Sequence, residues 1–171
     1  GASVTAVPAL GYHFTAWSDG VTANPRTETN VVSHLAVTAN FAINTYTLTY
    51  TAGTNGTISG PTPQTVNHGG TGGAVTAVPA THYRFVNWSD GRSANPRTDT
   101  PVTNHLAVTA NFALVQYTLT YLAGSNGTLS GQTIQVINHG AHGATVTPLP
   151  APGYRFHSWS DYRQSNPRTD Y

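Results

Sequence analysis

Trp17-Ser-Asp-Gly-Val-Thr-Ala-Asn-Pro-Arg26 returns as Trp88-Ser-Asp-Gly-Arg-Ser-Ala-Asn-Pro-Arg97, and again as Trp159-Ser-Asp-Tyr-Arg-Gln-Ser-Asn-Pro-Arg168. The three tryptophans are the only ones in the chain, and successive copies lie 71 residues apart. Outside this stretch the register persists, because Tyr46-Thr-Leu-Thr-Tyr50 recurs as Tyr117-Thr-Leu-Thr-Tyr121. Laid over residues 72–116, residues 1–45 are identical at 29 positions. Self-similarity at a fixed interval is the mark of a tandem array, and it decides the architecture before any single residue does.

Taking the Tyr-Thr-Leu-Thr-Tyr segment as the start of a unit divides the 171 residues into three. Residues 1–45 are the C-terminal part of one repeat, 46–116 a complete repeat, and 117–171 the N-terminal part of a third. The expected joints, Ile43-Asn44-Thr45 and Leu114-Val115-Gln116, are short and free of flexible Gly/Ser linker. The chain has no methionine, which is expected of a segment of something longer or of a processed product.

Inside a unit the hydrophobic period is two. Tyr46, Leu48 and Tyr50 alternate with Thr47 and Thr49, predicting a strand with one buried and one threonine-covered face. Asn55-Gly56 and Asn126-Gly127 predict hairpin turns. Further strands are expected at 64–67, at 74–78 ahead of Pro79, at 83–88 and at 106–112, with a glycine-rich turn at 69–73. The fold expected is mostly β, with five or six short strands per unit and no helix. A small unit has a thin core. Here Tyr46, Leu48, Tyr50, Val75, Val78, Tyr83, Phe85, Trp88, Leu106, Val108 and Phe112 are expected to form it.

Composition excludes several functions. The seven basic residues are all arginine and are scattered, charged residues make up 8% of the chain, and the net charge is +1. No phosphate-gripping patch can be assembled from them, so nucleic-acid binding is not expected. No apolar run reaches the roughly 20 residues of a membrane-spanning helix. Lacking cysteine and lysine, the chain has no disulfide, thiolate, P-loop or Schiff-base chemistry.

The signature Trp17, Asp19, Arg26; Trp88, Asp90, Arg97; Trp159, Asp161, Arg168 admits two readings. Asp90 with Asp99 (Glu28 and Asp170 in the other copies) could be a glycosidase carboxylate pair, with Trp88 stacking a sugar. Alternatively, the Trp-Ser-Asp turn is pinned by a carboxylate–guanidinium pair. Recurrence favours the second, since a folding turn must recur in each unit and an active site need not. Of the eight histidines, His34 and His105 correspond, as do His68 and His139, whereas His13 and His82 have no histidine counterpart. Only His139-Gly-Ala-His142 has close spacing, so neither metal nor cofactor is expected. Asn55, Asn87 and Asn126 sit in sequons, which the hairpin geometry already accounts for at 55 and 126.

The run from Tyr46-Thr-Leu-Thr-Tyr50 through Gln64-Thr-Val-Asn-His68-Gly, Val75-Thr-Ala-Val-Pro79, Tyr83-Arg-Phe85, Trp88-Ser-Asp-Gly91 and Asn95-Pro-Arg-Thr98 to Ala107-Val-Thr-Ala-Asn-Phe112 resembles the divergent internalin B-type B-repeat family. The resemblance covers the whole chain. It implies small β-grasp-like modules in a rod-like tandem array on the outside of bacteria, with no catalytic residues to carry over. The expectation is a non-enzymatic extracellular protein, a stalk or a filament, whose partners are neighbouring repeats or further copies of itself through strand pairing. The other reading is a carbohydrate-binding or adhesion module recognising a surface glycan, which requires a solvent-facing tryptophan.

Overall fold

A computed structural model describes residues 1–171, and the chain in it is all-β with no helix. The first copy contributes β1 (Tyr12–Trp17) and β2 (Ala39–Ile43). The complete copy holds six strands: β3 (Thr45–Ala52), β4 (Gly56–Ser59), β5 (Gln64–Asn67), β6 (Thr76–Pro79), β7 (Tyr83–Trp88) and β8 (Leu106–Leu114). The third copy has β9 (Gln116–Thr120), β10 (Gly127–Ser130), β11 (Ile134–Asn138) and β12 (Thr147–Pro150). The strands group into several small sheets. Two compact units result, one of residues Gly1–Val78 with Phe85–Phe112, the other of Pro79–Arg84 with Ala113–Tyr171.

In the first unit β1 pairs antiparallel with β2, and a four-stranded sheet runs β5-β3-β8-β7. The alternation in β3 holds for Leu48 and Tyr50, which are buried, against Thr47 and Thr49, which are half-buried rather than fully exposed, and Tyr46 is half-buried like them. β3 and β8 pair in parallel, Leu48 opposite Leu106 and Tyr50 opposite Val108. This stacks the inward residues of both strands into one core of Leu48, Tyr50, Val75, Ala77, Trp88, Val102, Val108 and Ala110. Phe85, Phe112, Leu106 and Tyr46 pack around it. Val78, expected in the core, is 41% exposed, because Val75 and Ala77 already take the inward positions and period two turns Val78 outward.

The Asn55-Gly56 signal needs a correction. Asn55 has a left-handed φ of 69°, but β4 does not fold back onto β3; it pairs with β6 in a separate two-stranded sheet. β8 takes one edge of β3 along Leu48–Ala52 and β5 takes the other along Thr45–Leu48. Beside Tyr50 that second edge is met by Thr62, whose Oγ1 accepts from Tyr50 N–H at 2.8 Å and donates to Tyr50 O at 2.9 Å where a hairpin partner would bond. Gly56 answers to packing instead, since a Cβ there would run into the Phe112 ring.

In the second unit β9 pairs with β11 and β10 with β12, both antiparallel. An open groove of about 1030 Å³ is lined by Leu119, Tyr121, Leu129, Phe156 and Trp159. Their equivalents in the complete copy, Leu48, Tyr50, Ile58, Phe85 and Trp88, face the space that β8 fills.

Consecutive copies join through a single residue. In the first unit Asn44 links β2 to β3; its N–H donates to Gly11 O (2.8 Å) and its carbonyl accepts from His68 N–H (2.8 Å). In the second, Val115 donates to His82 O (2.8 Å) and accepts from His139 N–H (2.7 Å).

Candidate functional site

The signature residues converge. Val75 and Arg97 form an isolated antiparallel bridge, Val75 N–H to Arg97 O at 2.9 Å and Arg97 N–H to Val75 O at 2.8 Å, which points the arginine into the module. The preceding Asn95 holds the same loop by imitating a backbone strand, accepting from Ala77 N–H and donating to Ala77 O, both at 2.8 Å. Trp88 is anchored by its indole N–H on Ala94 O (3.0 Å) and by the tight turn in which Gly91 N–H donates to Trp88 O.

Arg97 is 1% exposed, the second largest side chain to be fully buried after Trp88. Its Nη1 and Nη2 donate to Asp90 Oδ1 and Oδ2 at 2.9 and 2.8 Å. Its Nε and Nη2 donate to Asp99 Oδ2 and Oδ1 at 2.7 and 2.9 Å. Four of five N–H donors are thus used, in two forks whose geometry matches a carboxylate. The guanidinium carbon lies 5.5 Å from the Trp88 ring centroid and 5.9 Å from that of Tyr50, so two aromatic rings flank the charge. Tyr50 Oη donates to Asp99 Oδ2 at 2.7 Å, and Arg92 donates to Asp99 Oδ1 at 2.7 Å. Every buried polar side-chain atom has a partner.

The same clamp recurs. Arg168 contacts Asp161 and Asp170 while Tyr121 donates to Asp170, and Arg26 contacts Asp19 and Glu28. Among the residues sequence reasoning left out of the signature, Tyr50, Arg92 and Val102 matter most. Tyr50 and Tyr121 carried a findable signal, since both recur with an acidic residue at the same offset.

Hydrogen bonds from Arg97 hold the Asp90 carboxyl below the usual carboxylate range. Burial pushes Asp99 up, but the bonds from Arg97 and Tyr50 outweigh it and hold this carboxyl low as well. A glycosidase pair needs one carboxyl held protonated near neutral pH, and here both are pulled the other way. Trp17 and Trp88 are buried, at 6% and 0% exposure, so neither offers the solvent-facing platform that the sugar-binding reading requires, whereas Trp159 is half-buried on the wall of the groove. His139 and His142 part company, His139 stacking on His82 and His142 meeting Tyr171 edge-on.

These directions fix the pH response. Carboxyls whose folded values lie below the ordinary 3.9 contribute stability above that value and lose it as pH falls through the folded values, because the unfolded chain takes up protons first. The share of the stability that these carboxyls contribute is therefore expected to hold between pH 7 and 5 and to fall steeply below about pH 4. At the alkaline end burial raises Tyr121 to about 12, so its contribution is complete below the ordinary value of about 10 and drains away between the two. Urea titrations at pH 3, 5, 7 and 11 check both arms.

A chain built of small β-modules, each clamped by a buried or half-buried arginine between two acids, is a tandem-repeat protein. Residues 1–45, 46–116 and 117–170 each match the family described as Divergent InlB B-repeat domain, and the chain belongs to that family. The family is associated with bacterial surface proteins. No curated protein and no solved structure matched the chain.

Proposed function

We propose that the chain is a non-enzymatic, extracellular structural array, in which β-grasp-like modules follow one another every 71 residues as a rod-like cell-surface stalk or a fibre. The observation that carries this reading is the joint. One strand runs into the next through one residue whose N–H and C=O are both bonded, to Gly11 and His68 at the first joint and to His82 and His139 at the second. A joint with no slack suits a part whose task is length and stiffness. The clamp supports the same reading, since it spends its charges on one another.

In this reading the partners are neighbouring repeats or further copies of the chain. The strand pairing this reading invokes is the parallel one that β3 and β8 use within the complete copy. Negative-stain electron microscopy with light scattering over a concentration series tests the proposal. Straight rods that stay monomeric make the chain a stalk segment. Filaments with a constant axial repeat make it a fibre subunit. Particles that bend freely at the joints overturn both.

A further inference from the structure

The two joints share one backbone pattern but not its side chains: Asn44 answers to Val115 and Gly11 to His82, and at the first joint Asn44 Oδ1 also meets His13 Nδ1 at 2.8 Å. At the first, Gly11 holds a left-handed φ of 81°, and the His68 ring lies against its bare Cα, where a Cβ would collide with the imidazole. At the second, the equivalent residue is His82, also left-handed at 68°, a conformation histidine tolerates better than most residues. Its ring lies face to face with that of His139, centroids 3.6 Å apart and planes 10° from parallel. The partner ring is set by the same tyrosine contact in both cases: Tyr46 Oη is 3.4 Å from His68 Nδ1, and Tyr117 Oη is 3.4 Å from His139 Nδ1.

We infer that the His82–His139 stack is a proton-operated latch, closed while the rings are neutral and released when both are charged, and that the first joint, with glycine in place of His82, has no such release. Neutral imidazoles in van der Waals contact gain dispersion attraction, whereas two imidazolium ions in that arrangement repel. The surroundings supply nothing to offset the repulsion. Tyr117, from β9, is the titratable group whose ring meets that of His139, centroids 5.9 Å apart. Tyr83 and Arg84 follow His82 at the start of β7, and Arg84 adds positive charge. The six acids are all spent elsewhere, each in an ion pair with an arginine of its own clamp. Histidine is the side chain that ordinarily changes charge between pH 5 and 8, so the latch answers to mild acidification, well above the pH at which the arginine clamps fail. The inference rests on the joint alone and stands whether or not the array is a stalk.

Amide hydrogen exchange of the intact chain, followed by NMR from pH 8 to 5 and corrected for intrinsic exchange, tests it. Val115 and His139 report the second joint, and Val146 and Arg168, bridged to each other in the same unit, serve as internal controls. The ratio of protection, second joint to controls, is expected to fall about fivefold on acidification, the Boltzmann weight of two unit charges about 4 Å apart in water. His82→Gly, which places there the glycine of the first joint, and His82→Asn, which keeps the left-handed turn, are both expected to make the ratio independent of pH. A flat ratio in the unaltered chain overturns the latch. So does a pH dependence that survives both substitutions.

Discussion

Replacing Arg97 with methionine is expected to destabilise the complete module by about 3–5 kcal/mol, the range for removing one partner from a buried ion pair. The loss is not that of the arginine's own contacts. Methionine fills much of the volume between Trp88 and Tyr50, but Asp99, 8% exposed, is left as a buried carboxylate with only Tyr50 and Arg92 to answer it. Two further measurements separate this cause from lost packing. Adding Asp99→Asn to Arg97→Met is expected to restore part of the stability, giving a strongly non-additive cycle. The cost of Arg97→Met is also expected to shrink at pH 3, where the stranded carboxyls are protonated. Urea unfolding read through Trp88, with Trp17 and Trp159 replaced by phenylalanine, gives all the values. A cost below about 1 kcal/mol, the range of an exposed pair, would mean that the clamp decorates a fold held by its apolar core.

That arginine also marks where the sequence stopped being legible. Repeats, strand positions and the Asp–Arg pairing could all be read, because each is local or periodic: alternation set β3, β5 and β8 nearly to the residue, and the joints fell at Asn44 and Val115. The burial of Arg97 could not. A charged residue in a Pro-containing loop reads as surface, and only the bridge to Val75, 22 residues back, turns it inward. Pairing direction was equally hidden, since a period of two is the same for parallel and antiparallel neighbours. The parallel β3–β8 ladder in turn explains the failed hairpin at Asn55-Gly56, a local turn signal overruled by the occupied edges of β3. Val102 escaped because its loop has no period to betray it. At the second joint the two rings come from residues 57 positions apart, and His82 has glycine as its counterpart, so nothing in the repeat pattern called for a histidine there.

The second large effect is expected at Trp88. Truncation to alanine should cost about 3–5 kcal/mol, the usual price of emptying a fully packed aromatic site. The ring is 0% exposed and meets Tyr50 at 5.8 Å and Phe85 at 5.7 Å, both in tilted or edge-on geometry, while its other contact is the Arg97 guanidinium. Loss of the ring therefore opens a cavity and exposes the clamp to water together, which weakens the ion pairs by raising the local dielectric. Trp88→Phe separates the two effects. It keeps most of the apolar volume and shields Arg97, but removes the N–H that satisfies Ala94 O, for an expected loss of about 1–3 kcal/mol. The same truncation at Trp159 should cost distinctly less. That indole keeps its bond to Ser165 O and its cation–π contact with Arg168, yet it is only half-buried, on the wall of the groove that in the complete copy is closed by β8. The difference between the two truncations thus measures what a closing strand contributes to one module. Equal losses at Trp88 and Trp159 would mean that the closing strand adds little, and the case for strand pairing between modules would lose its energetic basis.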